Sequence, residues 1–246
     1  MRYILNADDF GMSECVNEAI VFGFDNGLLS RTTAIVTKPA YASAVELSEA
    51  HGFKDKVGLH VNLSSGEPLT DDIKERPEFC DKKGVFNGKI FTERKSGLIL
   101  PEKASRAVSA EIEAQMKIYE DSGFTLFHLD SHGHVHTFPS LLPLFLRKAE
   151  EHGFKSIRLS KNAGVPAFKK MLKSPLNARI ARFNRKHGTE CVRLCDFRGA
   201  LAAEKDKNGI TEIMLHPNIF DGDMQIGQGF RYPDLADFAA EHETII

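Results

Sequence analysis

The chain has 246 residues, of which 32 are basic and 34 acidic, and its formal net charge is −2 at pH 7. This balance produces no overall positive field, so we expect no nucleic-acid partner. A length near 250 residues fits a single α/β barrel. The sequence contains no Ser/Gly/Pro-rich linker, low-complexity stretch or internal repeat. We therefore predict one domain over residues 1–246.

We expect neither a secretion signal nor a membrane span. The N-terminus lacks the basic and apolar regions of a signal peptide, and no window approaches the roughly 18 consecutive apolar residues that a span requires. Of the four cysteines, Cys191 and Cys195 are spaced i to i+4, but no partner Cys-x-x-Cys is present. Free thiols in a reducing compartment are the preferred interpretation, so we predict a cytoplasmic protein.

Apolar strand-like runs and amphipathic stretches alternate along the chain. The first half predicts, in order, a strand at 3–5, a helix at 14–26 capped by Ser13 and Gly27, a strand at 32–36, a helix at 42–51 and a strand at 57–63. The second half predicts a helix at 101–122, a strand at 124–129, a helix at 138–151, strands at 157–159, 191–194 and 212–215, and a short helix at 233–243. This alternation implies parallel pairing through right-handed crossovers. It favours an α/β barrel, although an open sheet satisfies the same pattern.

Three segments depart from this alternation. Residues 64–100 mix Gly, Pro, Asp and Lys without a sustained period, which predicts a long insertion loop with a small hairpin at 84–91. Loops of this length often act as lids or binding loops. Residues 222–229 are predicted to form a mobile loop. The basic stretch 169–186 is interpreted as a solvated helix face rather than a polyanion site.

Acidic residues and histidines follow the predicted strands. Residues 128–136 read His-Leu-Asp-Ser-His-Gly-His-Val-His and hold four of the ten histidines. Asp8 and Asp9 follow the first strand, His60 lies in the third, and His216 follows the run at 213–215. The carboxyl ends of parallel strands meet at one edge of a sheet, where such folds carry their chemistry. Because imidazole and carboxylate are common ligands of divalent metals, the pattern predicts one metal-dependent active site.

Outside the histidine cluster, each candidate also has an ordinary structural interpretation. Asp8 and Asp9 could cap the segment that follows, although one could instead bind a metal while the other takes a proton from water. A lone histidine in an apolar strand, such as His60, is more often a hydrogen-bonded core residue. His216 before a proline is a candidate general acid at the catalytic rim.

Within the cluster, His132 is the preferred metal ligand because it follows the strand exit directly. Asp130 is well placed to orient a ligand imidazole. For His134 and His136, loop packing or substrate contact is preferred over ligation. The sequence contains no Gly-x-Ser-x-Gly, Gly-x-Gly-x-x-Gly or P-loop, so metal-assisted hydrolysis is the best-supported class of chemistry.

Four segments together resemble the YdjC-like carbohydrate deacetylases, a family that includes chitooligosaccharide deacetylase. They read Asn-Ala-Asp-Asp-Phe-Gly-Met-Ser at 6–13, Gly-Leu-His-Val-Asn-Leu at 58–63, the histidine cluster followed by Phe-Pro at 138–139, and Leu-His-Pro at 215–217. The resemblance implies a (β/α) barrel of the glycoside hydrolase/deacetylase type and hydrolysis of an N-acetyl group on an amino sugar. It also implies a divalent metal, typically Mg²⁺, with Zn²⁺ as the chemical alternative.

The resemblance also assigns roles to individual residues. By motif, the metal ligands are Asp9, His60 and His132. Asp8 is the carboxylate that handles the proton, and His216 is the acid.

Past the His-Pro segment the family usually continues into a helix and a final strand, whereas only residues 221–246 remain here. We therefore expect a barrel that is incomplete or irregular at its C-terminal end, with the last strand missing or supplied by 244–246. Alternative functions are another metal-dependent hydrolase, such as a lipid-linked sugar deacetylase or a phosphoesterase, and a non-catalytic sugar- or metal-binding protein. A homodimer is expected only from its general frequency.

Overall fold

The computed structural model describes residues 2–92, 99–190, 192–202 and 209–245. The strands are β1 (Arg2–Phe10), β2 (Arg31–Ala34), β3 (Val57–Val61), β4 (His128–Ser131), β5 (Ser156–Ile157), β6 (Arg193–Asp196), β7 (Ile210–Leu215), β8 (Asn218–Phe220), β9 (Asp223–Gly227), β10 (Phe230–Arg231) and β11 (Glu243–Thr244). The helices are α1 (Glu14–Asp25), α2 (Tyr41–Ala50), α3 (Asp71–Lys74), α4 (Lys89–Thr92), α5 (Glu102–Asp121), α6 (Leu142–Glu151), α7 (Ala167–Lys186), α8 (Phe197–Ala202) and α9 (Tyr232–Glu241). Short 3₁₀ segments lie at Lys54–Lys56 and His132–Thr137.

A curled parallel sheet forms the centre of the molecule, with strand order β5-β4-β3-β2-β1-β7-β6. Strands β1 to β5 pair in chain order, and β7 closes back onto β1. The apolar runs form these strands because each is buried between the sheet interior and the outer helices. The prediction of an α/β fold of the (β/α)-barrel type is confirmed.

The irregular part of the barrel is the seam between β5 and β6. The chain leaves the sheet after only two residues of β5. Instead of a ladder, the backbone N–H groups of Asn162 and Ala163 both donate to the carbonyl of Leu194 in β6, at 3.0 Å. The half-barrel is thus bridged by a loop rather than closed by a strand.

The C-terminus also contributes a strand, as expected for 244–246. Strand β11 pairs in parallel with β1, with Glu243 opposite Arg2 and Thr244 opposite Tyr3. It lies beside the amino end of β1, off the main strand order. Ile246 lies outside the described residues.

The insertion after β3 contains two short helices, α3 and α4. The predicted hairpin at 84–91 is wrong. Phe86 forms antiparallel bridges with Gly66 and Cys80, and the side chain of Asn87 then accepts a hydrogen bond from the backbone N–H of Lys89 at 2.9 Å, which starts α4. Residues 93–98 of the predicted loop lie outside the described residues. The organisation as one domain with an insertion stays a prediction.

Residues 222–229 are not a loop but the centre of a small antiparallel sheet, β8-β9-β10. The two residues between β8 and β9 are Asp221 and Gly222, with φ of 50° and 81°. Positive φ at both positions is typical of a two-residue hairpin turn, which Asp-Gly favours. The Asp-Gly pair was therefore the signal for this hairpin.

Of the described helices, none is long and apolar enough to cross a membrane. The predicted cap of α1 is confirmed, since Ser13 Oγ accepts a hydrogen bond from the backbone N–H of Val16 at 3.3 Å. Free thiols are present at Cys15, Cys80 and Cys195, the last two buried. Cys191 lies outside the described residues.

Candidate metal centre and active site

The end of β1 separates its two acidic side chains. The register with β2 shifts between Ala7 and Phe10, and Asp9 adopts a φ of 72°. This left-handed conformation is uncommon for a residue other than glycine. As a result Asp8 and Asp9 contact different partners, although they are adjacent in sequence.

Asp9 meets two histidines from neighbouring strand ends. Its Oδ1 lies 2.8 Å from Nδ1 of His132 and 3.3 Å from Nε2 of His60. One potential ligand atom from each of the three residues lies within 4.8 Å of the others. His60 is buried, whereas the side chains of Asp9 and His132 are 15% and 28% exposed. The cluster therefore opens to solvent on one side.

His60 is held from behind by Asp130. The Oδ1 of Asp130 lies 2.5 Å from Nδ1 of His60, and Thr33 Oγ1 donates a hydrogen bond to Oδ2 of the same carboxylate at 3.0 Å. Asp130 therefore contacts the imidazole of a candidate metal ligand, as expected for a residue that orients it. It places a proton on Nδ1 and turns Nε2 towards Asp9.

The charges around His60 are compatible with a cation at this cluster. Burial lowers the pKa of His60, but the Asp130 carboxylate, with Asp8 and Asp9, raises it to about 9. A proton on Nε2 then separates two atoms that would otherwise face each other as acceptors at 3.3 Å. A divalent cation can replace that proton. The donor set of one carboxylate and two imidazoles therefore fits a metal ion on chemical grounds.

A buried network of charges lies behind this cluster, with Arg158 at its centre. The Nη2 and Nη1 atoms of Arg158 donate to both oxygens of Asp8, at 2.6 and 2.7 Å. Arg158 Nη1 also lies 2.7 Å from Asp130 Oδ2, and its Nε donates to Glu212 Oε1 at 2.5 Å. Arg31 donates to the other oxygen of Glu212 at 2.5 Å. Two guanidinium groups thus neutralise much of the charge of three buried carboxylates, with the His60 imidazole nearby.

Two further sets of potential ligands lie within this network: Asp8–His60–Asp130 and His128–Asp130–Glu212. The carboxylates in both sets already contact Arg158. A guanidinium cannot lose its proton in a protein, so a metal ion there would meet a fixed positive charge. The cluster at Asp9 is the better candidate.

Arg158 also fixes the charge of Asp8. Burial raises the pKa of Asp8, but the Arg158 guanidinium overrides this effect and holds the pKa well below its usual range. His216 lies on the solvent side of Asp8, with Nε2 3.9 Å from Asp8 Oδ2 and its side chain 47% exposed. The backbone N–H of His216 donates to the carbonyl of Ile226 in β9 at 3.0 Å. The small sheet that the sequence did not predict therefore positions His216.

The last two histidines of the cluster do not join the candidate ligands. His136 is fully buried, with Nδ1 2.6 Å from Ser131 Oγ and Nε2 3.0 Å from the carbonyl oxygen of Arg158. Burial lowers its pKa to about 3, so it is a neutral packing residue, as preferred from the sequence. His134 has a φ of 58° and a buried Nδ1 without a hydrogen-bond partner among the described residues. Burial lowers its pKa to about 4.

The sequence analysis missed Arg158, Glu212 and Arg31. Arg158 lies between Ile157 and Leu159 in an apolar run, and Glu212 lies in the buried strand β7. Burying an unpaired charge is costly, so a charged residue inside a predicted strand was the available signal. It could have indicated that partners exist, but not which ones.

The chain is similar in sequence to known proteins. The family model described as "YdjC-like protein" matches residues 2–244. A carbohydrate deacetylase from Vibrio parahaemolyticus serotype O3:K6 (strain RIMD 2210633) is 30% identical over 94% of this chain and 83% of its own length. Another from Halalkalibacterium halodurans is 36% identical over 62% of this chain and 61% of its own length.

Among solved structures, a putative cellobiose-phosphate cleavage protein from Enterococcus faecalis V583 is similar, with a TM-score of 0.67 at 21% identity. The similarity covers 98% of this chain and 94% of that chain. At this identity the likeness supports the fold alone. The family model, by contrast, spans almost the whole chain and includes every candidate site residue. The chain belongs to the YdjC-like protein family.

Proposed function

We propose that this protein is a carbohydrate deacetylase, a divalent-metal-dependent hydrolase that removes the N-acetyl group from an amino sugar or oligosaccharide and releases acetate. The observation that carries the proposal is the meeting of Asp9, His60 and His132 beside Asp8 and His216. Relatives that are carbohydrate deacetylases support the substrate class. We also propose that it works in the cytoplasm as a homodimer, without a nucleic-acid partner.

Asp9, His60 and His132 would hold the metal ion. A metal ion held there would supply Lewis-acid chemistry, making water more acidic and offsetting negative charge on the acetyl oxygen. The resemblance indicates Mg²⁺, whereas two imidazoles are equally suited to Zn²⁺. Asp130 keeps the His60 ring in the orientation that turns Nε2 towards Asp9.

Asp8 is proposed to take the proton from the attacking water. Its bond to Arg158 keeps it ionised and therefore ready to accept at neutral pH. A carboxylate with so low a pKa cannot retain that proton and must pass it on. His216 Nε2, 3.9 Å away, is the proposed acceptor and the acid that protonates the departing sugar nitrogen. That protonation is needed because an amine anion is a poor leaving group.

The test is acetate release from N-acetylglucosamine and N-acetylated chito-oligosaccharides, measured after chelator treatment and again with added Mg²⁺ or Zn²⁺. We expect release only with metal, and a large loss of kcat in Asp8→Asn and His216→Ala. His51→Ala is the matched control, because His51 pairs with Asp25 at the surface, away from the site. Release that is insensitive to chelator, or an unchanged rate in His216→Ala, would contradict the proposal.

Acetate release, phosphatase activity and metal binding, measured on the same protein, separate the alternatives. A phosphoesterase would hydrolyse p-nitrophenyl phosphate but release no acetate. A binding protein would bind the metal without turnover. The pair Asp8 and His216 favours an enzyme, because binding alone requires neither a proton acceptor nor an acid.

A further inference from the structure

The first half of α7 stands away from the body of the protein. The buried residues of this helix are Ile180, Phe183 and Asn184, all in its second half. Every residue from 167 to 172 is exposed. The helix therefore packs against the core from Leu176 onward, and its first two turns project into solvent.

The projecting half has an apolar side. Phe168, Met171 and Leu172 are 62%, 68% and 62% exposed. Their spacing of i, i+3 and i+4 places them on one face of the helix. Pro175 separates these turns from the residues that the helix buries, Ile180 and Phe183. The apolar side of the first turns therefore stays exposed while the second half anchors the helix.

The same turns carry a dense positive charge. Lys169, Lys170 and Lys173 lie on the opposite side of the helix from the apolar residues. Helix α7 contains seven Lys and Arg residues and no Asp or Glu, and residues 152–189 contain no acidic residue at all, although the whole chain has a net charge of −2. Burial, followed by the nearby ammonium groups of Lys161 and Lys169, lowers the pKa of Lys173. Positive charge is therefore concentrated here.

This surface lies at the candidate active-site end of the sheet. Helix α7 begins after the carboxyl end of β5, the end from which the candidate metal ligands project. The segment that leads into α7 lies against α8, since a Cβ added at Gly164 would lie 2.8 Å from Gly199 Cα. Leu201 of α8 is 55% exposed. On the segment after β3, the exposed Phe91 packs over Gly133, next to His132. Exposed apolar residues thus lie on three segments, α4, α7 and α8, at the active-site end of the sheet.

A short helix with Phe and Leu on one side and Lys on the other is typical of a segment that lies in a bilayer interface. Anionic lipid attracts such lysines. A second copy of the chain fits less well, since a two-fold contact would pair this surface with itself, and residues 152–189 hold no acidic residue to meet the lysines. We infer that the first half of α7, defined by Phe168–Lys173, docks the protein on an anionic bilayer with its active-site end facing the membrane. This inference goes beyond the proposed deacetylation and does not depend on it.

The experiment is co-sedimentation of the full chain with vesicles of phosphatidylcholine alone or with about one third phosphatidylglycerol. We expect binding to the anionic vesicles only, weakened by salt. Replacing Lys169, Lys170 and Lys173 together by Gln should reduce the affinity roughly a hundredfold, at about fivefold per lysine. Replacing Phe168, Met171 and Leu172 together by Ser should abolish binding.

The matched control replaces Lys54, Lys56 and Lys155 by Gln. These residues precede β3 and β5, at the opposite end of the sheet, so this variant should bind like the wild type. Equal binding to neutral vesicles, equal loss in the control, or a wild-type dimer that the Ser variant converts to a monomer without loss of vesicle binding would overturn the inference. Acetate release from a soluble sugar, measured in parallel, keeps a failure of the proposed function distinguishable from a failure of docking.

Discussion

Two charged clusters lie one behind the other at the carboxyl ends of the strands, and different groups neutralise their carboxylates. In the outer cluster, the Asp9 carboxylate contacts the imidazoles of His60 and His132. In the inner cluster, Asp8 and Asp130 both contact the guanidinium of Arg158. An imidazole can exchange its proton for a metal ion, whereas a guanidinium cannot lose its proton. The inner cluster is therefore a permanent, charge-balanced support, and the outer cluster is the one suited to receive a cation.

The largest expected effect comes from removing an outer ligand. His132→Ala should reduce acetate release by about a thousandfold or more, because one of three metal ligands and its contact with Asp9 are lost. The fold should persist, since His132 is partly exposed. The measurement is kcat/KM together with the urea midpoint. Full activity, or a urea midpoint so low that unfolding explains the lost activity, would contradict the assignment of different roles to the two clusters.

Removing the centre of the inner cluster should also lower stability, in addition to the activity lost because Arg158 keeps the proposed proton acceptor Asp8 ionised. Arg158→Met leaves three buried carboxylates without their main partner, so we expect a loss of about 3–5 kcal/mol in the free energy of unfolding. Urea denaturation followed by circular dichroism measures it. Arg147→Met is the control, because Arg147 pairs with Glu151 at the surface and should change stability little. A fully stable Arg158→Met protein would show that the inner cluster is not a structural support.

Asp130 belongs to both clusters, so its replacement sharpens the comparison. In Asp130→Asn, the His60 ring loses the carboxylate that orients it, and metal affinity should fall about 10- to 100-fold. Glu212→Gln is a matched control because Glu212 contacts Arg158 but not His60. Isothermal titration with Zn²⁺ should therefore distinguish the two variants. Equal affinities would mean that the orientation of His60 by Asp130 is unimportant for metal binding.

The smallest expected effect is the fall in stability at low pH that comes from the neutral histidines behind the site. Burial lowers the folded-state pKa of His134 to about 4 and that of His136 to about 3, and also lowers that of His128. The unfolded chain takes up protons first, below about pH 6.5, so stability falls as the pH drops through that value. His134 and His136 should each contribute a loss of about 1–2 kcal/mol between pH 6.5 and pH 5, and His128 acts in the same direction.

This dependence is measured as the free energy of unfolding against pH. His136→Asn should remove about one third of the slope even if it lowers stability at every pH. An unchanged slope would show that His136 is not neutral and buried in the folded protein.

Much of the fold followed from the sequence because apolar periodicity reports burial directly. The helices at 14–26, 42–51 and 101–122 were predicted within about two residues. The strand at 124–129 was placed too early, because Phe124 and Phe127 pack apolar rings outside the sheet, and the strand begins at His128. The hairpin at Asp221 was missed because a run of turn residues resembles a loop unless its Asp-Gly pair is recognised.

The outer site residues could be predicted because each directly follows or ends a strand. The inner cluster could not, because its partners come from residues far apart in sequence: Arg158 meets Asp8 across 150 positions and Glu212 across 54. A single sequence shows that a charge lies in an apolar run, but only the folded sheet shows which charges meet. The roles assigned to Asp8, Asp9, His60, His132 and His216 stay proposals.

The most direct test of the central claim is anomalous diffraction at the zinc edge from crystals of this protein soaked with Zn²⁺. We expect one strong peak about 2.1 Å from a ligand atom of each of Asp9, His60 and His132, and no peak in His132→Ala crystals treated in the same way. A peak among His128, Asp130 and Glu212, or no peak near Asp9, would contradict the account.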